Sequence, residues 1–178
     1  MKYFIVSGMQ NYTNAPRPEG FYKRYDIRNI TPDRINLLPK RSLLYVAPDP
    51  NLVFVDILSS PVFMVTKHIR DVMELYEPEL PTKQIILLDR ESGLSEIYSI
   101  PAFKPICCLS EVSELTRGKN ALIRTVLKRK AIEGYPMFKI ADINNSYVVM
   151  RMDVVESILR RLPKGIEITQ TEIEENGG

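Results

Sequence analysis

The stretch Tyr147-Val-Val-Met-Arg-Met-Asp-Val-Val-Glu-Ser-Ile-Leu-Arg-Arg-Leu-Pro163 contains a short apolar run followed by the clearest helical pattern in the chain. Asp153 can cap a helix, and Glu156, three residues later, completes the pattern of a capping box. Proline at 163 ends the pattern. The positions spaced as one helix face are all apolar: Val154, Val155, Ile158, Leu159 and Leu162. This stretch predicts a strand that leads directly into an amphipathic helix at about 154–162.

The segment Val62–Pro78 has the same order of a strand, a polar helix start, an amphipathic helix and a closing proline. Its apolar positions are Ile69, Val72, Met73 and Tyr76. They predict a second helix at about 66–77. Apart from the final proline the two segments share almost no identical residues, so both duplication and the recurrence of an ordinary strand–helix unit fit the pattern.

Apolar and β-branched segments surround these two units. Residues 83–89 and 94–100 flank a polar stretch at 90–93 that is typical of a hairpin loop, and residues 137–143 and 146–151 form a second such pair. Strands therefore outnumber helices. The sequence predicts an α+β fold with mainly antiparallel sheets and two principal amphipathic helices.

The N-terminal part differs in composition from the rest. Between residues 11 and 50 proline is frequent, at Pro16, Pro18, Pro32, Pro39, Pro48 and Pro50. Proline lacks a backbone donor and fixes the local conformation, so residues 1–50 are expected to be irregular and packed on the main body, apart from a first strand within Met1–Gly8. The α+β domain is expected at 51–171, and 172–178 is expected to be a solvated acidic tail.

The charge balance and the apolar runs limit the classes of partner. The chain has 24 Lys and Arg against 22 Asp and Glu, without the concentrated basic excess of a nucleic-acid binder. Its longest apolar runs are far shorter than a membrane span, and no signal-peptide pattern opens the chain. The chain has two cysteines, and they are adjacent in sequence. A disulfide between adjacent residues cannot staple a domain, and neither cysteine has another partner. We therefore expect a cytoplasmic protein that binds neither nucleic acid nor membrane.

Few residues could support catalysis. His68 is the single histidine, and its distance in sequence from the cysteines gives no metal-ligand spacing, so we expect no metal and no cofactor. A thiol-dependent hydrolase would use Cys107 or Cys108 as nucleophile with His68 as base. The alternative is that both cysteines end a buried strand as small apolar side chains. We favour the alternative and expect no catalytic residue.

Arg160 and Arg161 close the best helix. Cations at a helix C-terminus interact favourably with the helix dipole, which gives the pair a structural role. Arginine is also enriched among the residues that dominate protein–protein binding. The pair is therefore a candidate partner-binding site.

An ordered series of segments between residues 60 and 174 resembles the immunity protein 11 family, whose members are proposed to neutralise polymorphic bacterial toxins. The series comprises Ser60–Thr66, Ile85–Asp89, Tyr98–Pro101, Leu109–Ser113, Val126–Ile132, Met137–Ile140, Tyr147–Arg151, Val155–Arg161 and Gly165–Ile168. The resemblance implies a bacterial protein that binds and occludes a toxin, and it transfers no catalytic residue. The polar connection within Leu109–Ser113 adds Ser110, Glu111 and Ser113 as candidate partner-binding residues.

The leading hypothesis is thus a non-catalytic, cytoplasmic protein-binding protein whose partner is a cognate toxin. The first alternative is the thiol-dependent hydrolase that uses Cys107 or Cys108. The second alternative is a structural or interaction protein with a role unrelated to toxins.

Overall fold

The computed structural model describes residues 1–175. The strands are β1 (Tyr3–Gly8), β2 (Arg41–Tyr45), β3 (Ile57–Leu58), β4 (Met64–Thr66), β5 (Thr82–Leu88), β6 (Ser95–Pro101), β7 (Pro105–Ile106), β8 (Glu114–Leu115), β9 (Leu122–Arg124), β10 (Val126–Lys128), β11 (Met137–Ile140), β12 (Val148–Arg151), β13 (Ile166–Gln170) and β14 (Glu172–Glu174). The α-helices are α1 (Phe21–Arg24), α2 (Lys67–Tyr76), α3 (Arg129–Ile132) and α4 (Met152–Leu159).

Two five-stranded sheets form the framework. The first sheet has the order β13-β1-β12-β11-β7, and the second has the order β2-β5-β6-β4-β3. Neighbouring strands are antiparallel except at the β11–β7 and β2–β5 pairs. Both hairpins expected from the sequence are present, as β5–β6 and β11–β12. The predicted α+β fold with mainly antiparallel sheets is confirmed.

The two principal helices, α2 and α4, also form, each directly after a strand. The predicted end of α4 at residue 162 is wrong, because the helix ends at Leu159 and Leu162 of its predicted apolar face is 85% exposed. The two helices pack against each other, and their apolar stripes share one core cluster with one face of each sheet. The buried members of that cluster include Ile69, Val72 and Met73 from α2, Val154, Val155 and Ile158 from α4, and Val6, Val65, Val148 and Met150 from the strands. This shared core joins the two strand–helix units.

The predicted capping box at the start of α4 is wrong. The extended backbone of β12 turns straight into the helix, so Arg151 occupies the N-cap position and makes no side-chain capping bond. The Asp153 carboxylate in the first turn instead accepts two hydrogen bonds from the Arg151 guanidinium, each of 2.8 Å. These bonds hold the pKa of Asp153 below its usual range.

The N-terminal part is less irregular than predicted. Strand β1 lies between β13 and β12 inside the first sheet, and β2 belongs to the second sheet. The segment between these strands covers one face of the second sheet, where its Phe21, Tyr25 and Ile35 side chains are buried. These pairings join residues far apart in sequence, so local proline content could not indicate them.

The expected solvated tail is wrong for residues 172–174, which form β14 and pair in parallel with β10. Ile173 packs against the core cluster on the face of the first sheet that points away from α2 and α4. The Glu172 carboxylate accepts hydrogen bonds from the Arg124 guanidinium at 2.7 and 2.9 Å. Residues 176–178 of that predicted tail lie outside the described residues.

A buried carboxylate joins the two strand–helix units. Oδ1 of Asp56 accepts a hydrogen bond from the Thr66 hydroxyl at 2.9 Å, and Oδ2 accepts one from the Lys164 backbone N–H at 2.6 Å. In the backbone, the Asp56 N–H donates a hydrogen bond to the Lys164 carbonyl, and the Asp56 carbonyl accepts one from the Thr66 N–H. Thr66 precedes α2 and Lys164 follows α4, so one side chain connects the start of one helix to the end of the other.

Two glycines let the backbones approach closely beside this carboxylate. A Cβ atom on Gly8 would lie 2.8 Å from the Ile57 carbonyl oxygen, and one on Gly165 would lie 2.9 Å from Cβ of Val55. Gly165 also has a positive φ of 76°, which L-residues rarely adopt. The junction of the two sheets therefore excludes larger residues at both positions.

The substitution Asp56→Asn is expected to lower the free energy of unfolding by about 1–3 kcal/mol, because an amide offers one acceptor where two donors converge. The midpoint of urea unfolding, followed by circular dichroism, measures the effect. Asp33→Asn is the matched control, since Asp33 is exposed and makes no hydrogen bond or ion pair with the described residues. Equal midpoints for the two variants would contradict the role assigned to Asp56.

Candidate functional site

Part of one face of the second sheet is apolar and exposed. The strand register aligns Leu43 of β2, Ile86 of β5 and Ile97 of β6 in one row across the sheet. Tyr45 and Leu88 are paired beside this row. Leu43 is 40% exposed and Ile97 is 44% exposed. We call these five side chains the apolar row.

The alternation of side chains along β2 produces this face. Ser42 and Leu44 point to the buried side of the sheet, whereas Leu43 and Tyr45 point to the opposite side. At the β4 end of the sheet, α2 packs against the strands, and Val65 there belongs to the shared core. The helix does not extend over β2, so the apolar row stays exposed.

Two arginines lie beside the apolar row. The Arg41 guanidinium donates to Oε1 of Gln84 at 2.7 and 3.1 Å. The Arg90 guanidinium lies 3.7 Å from the centre of the Tyr45 ring. On this face β2, β5 and β6, all within the described residues, carry no aspartate or glutamate. The face therefore presents apolar side chains between two arginines.

Strand β2 is also an edge strand. Residues 17–19 run beside its end, where the Glu19 N–H donates to the Tyr45 carbonyl at 2.8 Å and the Ala47 N–H donates to the Arg17 carbonyl at 2.9 Å. Beside Arg41 and Leu43 no further strand is paired among the described residues. The apolar row thus continues to an open edge of the sheet.

The two serines predicted as partner-binding residues are engaged within the fold. Ser110 is buried, and its N–H donates to the Val126 carbonyl at 2.8 Å. The Ser113 hydroxyl donates to the same carbonyl at 2.8 Å and accepts from the Val126 N–H at 3.0 Å. Glu111, between them, is exposed. Glu111 is therefore the charged side chain of this loop that a partner could contact.

Arg160 and Arg161 are exposed at the end of α4. Arg160 is the C-cap residue, and Nη1 of Arg161 donates to the Ser157 carbonyl at 2.7 Å. Arg161 thus satisfies one of the unpaired carbonyl groups at the end of the helix. No hydrogen bond or ion pair among the described residues links the two arginines to the loop at 110–113.

The expectation that both cysteines end a buried strand is wrong for Cys107, because the two thiols have different environments. Cys107 is exposed, whereas Cys108 is buried and its backbone N–H donates to Oδ2 of Asp142 at 2.7 Å. Burial, with a contribution from the nearby Asp142 carboxylate, raises the pKa of the Cys108 thiol to about 12. A thiol with so high a pKa is protonated at neutral pH and is a poor nucleophile.

The His68 imidazole contacts the Asp56 carboxylate, with Nε2 lying 3.3 Å from Oδ1, and Nδ1 lies 3.3 Å from the Thr66 hydroxyl. Within residues 1–175 no hydrogen bond joins this ring to Cys107 or Cys108. The hypothesis of a thiol–imidazole pair receives no support from these contacts.

The described residues contain no group of three or more histidine, cysteine, aspartate or glutamate side chains that could hold a metal ion. None of the helices in the described part of the chain has the length and apolar character needed to cross a membrane.

Comparison with protein-family models gives no match, and comparison with curated proteins gives none either.

The apolar row was not anticipated from the sequence. The run Gln84-Ile-Ile-Leu-Leu88 was a visible signal, because consecutive apolar residues in a strand place apolar side chains on both faces. Whether both faces are covered depends on the segments that pack on them. Strand β2 itself lay in the part expected to be irregular.

The thiol environments predict a simple stoichiometry with Ellman's reagent at pH 8. In the folded protein Cys107 is expected to react rapidly, whereas Cys108 reacts much more slowly because it is buried and protonated. In denaturant both thiols are expected to react at similar rates. A Cys107→Ser variant is the control and should lose the rapid phase. Rapid modification of Cys108 in the folded variant would contradict the assigned burial.

Proposed function

We propose that this chain is a non-catalytic, cytoplasmic protein-binding protein of bacteria, and that it acts as an immunity protein by occluding a toxin. The observation that carries the proposal is the apolar row on the second sheet, flanked by Arg41 and Arg90. Exposed apolar patches rimmed by polar groups are typical of protein interaction sites.

The residue types on this face favour a protein partner. Tyrosine and arginine are enriched among the residues that dominate binding energy, particularly where they surround a desolvated centre. Tyr45 is held by the stacked Arg90 guanidinium, and Arg41 is held by Gln84. Side chains already held in place lose less conformational entropy when a partner binds. The face is thus suited to rigid docking.

The charges on the face indicate the chemistry of the partner surface. Two arginines flank the apolar row, and the positions of β2, β5 and β6 that point to this face carry no carboxylate. Complementary charge accelerates association and suppresses wrong partners. The toxin surface proposed to dock here therefore has an apolar centre with acidic side chains at its margins.

The assignment of the partner as a toxin rests on the sequence resemblance to the immunity protein 11 family over residues 60–174. Two of the resembling segments, Ile85–Asp89 and Tyr98–Pro101, overlap β5 and β6 of the second sheet. The cytoplasmic location is supported by the two free thiols, which persist in reducing compartments.

Co-expression with the product of the adjacent gene tests the proposal. The wild-type chain is expected to restore growth and to co-purify with that product. The variant Leu43→Asp is expected to weaken the complex by about 2 kcal/mol, or roughly thirtyfold in Kd, because it places an unpaired carboxylate opposite the apolar centre of the partner surface, where binding would remove its water. Titration calorimetry of the purified pair gives the Kd.

Ile123→Asp is the matched control, because Ile123 is 65% exposed on β9, outside the second sheet. It should bind as the wild type does. Loss of binding in an Arg160→Glu, Arg161→Glu double variant, with Leu43→Asp unaffected, would place the binding surface at the end of α4 and refute the assigned face. Absence of both rescue and complex with any neighbouring product would refute the immunity function.

A further inference from the structure

A cavity of about 470 Å³ lies where the N-terminal segment crosses from the first sheet to the second. Its floor contains Val55 and Leu58, which are both buried. Tyr12, Tyr22 and Pro61 also line it. The volume lies within the range of small-molecule binding sites, which are mostly apolar with a few polar groups.

The chain segment over this cavity, residues 9–18, is called the strap. Three backbone hydrogen bonds hold it in place: the Met9 N–H donates to the Gly165 carbonyl at 2.7 Å, the Val53 N–H donates to the Asn14 carbonyl at 2.9 Å, and the Ala47 N–H donates to the Arg17 carbonyl at 2.9 Å. These bonds anchor the strap to three separate segments. The cavity beneath it is therefore preformed.

Alanine at position 15 and Thr13 also line the cavity, and larger side chains at either position could occupy it. Small residues at both positions leave the space open, which fits a site that is filled by a ligand.

Arg17 is the one charged residue that lines the cavity, and all the lining residues lie within the described part of the chain. Its side chain is exposed and makes no hydrogen bond or ion pair with the residues 1–175 that the structure describes. Its backbone is fixed by the bond to Ala47. A guanidinium binds a carboxylate through two parallel hydrogen bonds. A single positive charge at the mouth matches a ligand with one negative charge.

We propose that this cavity binds a small monocarboxylate with an aromatic or similarly flat apolar body. The body packs on Val55 and Leu58 between the two tyrosine rings, and the carboxylate pairs with the Arg17 guanidinium at the mouth. The proposal is independent of the toxin-binding function, because the cavity and the apolar row share no residue.

Naphthoate and naphthylmethanol are the probes, since they share a ring system and differ in charge. Their binding to the full chain is measured by ligand-observed saturation-transfer NMR. Naphthoate is expected to bind with a Kd of about 1 mM or lower and more tightly than the neutral alcohol. Arg17→Gln is expected to weaken naphthoate binding about tenfold and to leave the alcohol unaffected, because it removes a charge-assisted hydrogen-bonded pair.

Arg24→Gln is the charge-matched control, because Arg24 is exposed on α1 and does not line the cavity; it should leave both affinities unchanged. Thr13→Trp and Ala15→Trp fill the space and should abolish binding of both probes, with urea midpoints confirming that each variant folds. The proposal is overturned if the wild type does not bind naphthoate, if both probes bind equally, or if Arg17→Gln and Arg24→Gln behave alike. Loss of binding in Leu43→Asp but not in Thr13→Trp would place the ligand on the apolar row and overturn it equally.

Discussion

The Asp56 carboxylate is the interaction on which the arrangement of the two halves depends. It accepts hydrogen bonds from the residue that precedes α2 and from the residue that follows α4. A buried carboxylate is unfavourable unless its oxygens are hydrogen-bonded, so the two bonds must be present together. Gly8 and Gly165 allow their backbone segments to lie close to residues 55–57, next to this carboxylate. The position of one sheet relative to the other follows from this junction.

Coverage of the sheets explains why the candidate surface lies on one half of the molecule. The first sheet carries core clusters on both faces, one shared with α2 and α4 and one formed with the segment that includes Leu109 and Leu127. The second sheet is covered fully on one face and only at its β4 end on the other. The apolar row is the part that neither helix reaches. Its arginines keep the surface polar at its margins.

Local periodicity was sufficient to predict α2, α4 and the two hairpins, because these elements depend on residues within one turn or one loop. It was insufficient for β14, whose Ile173 is partly buried through pairing with a strand 46 residues away in sequence (Leu127 to Ile173). The serines at 110 and 113 show the same limit for the site. A polar loop is visible in the sequence, but the engagement of the Ser113 hydroxyl by Val126 is not. The exposure of Leu43 likewise depends on which strands α2 covers, and residues near Leu43 in the sequence do not indicate this.

The position of β1 within the first sheet has a consequence for the order of events during synthesis. All five strands of the second sheet lie between residues 41 and 101 and can pair while the rest of the chain is still being translated. Strand β1 is translated before the other strands of the described part of the chain, yet both of its neighbours, β12 and β13, follow every strand of the second sheet. Its apolar residues must therefore remain unpaired until residues 148–170 have been made. Of the described strands, the first to be translated is among the last to find its partners.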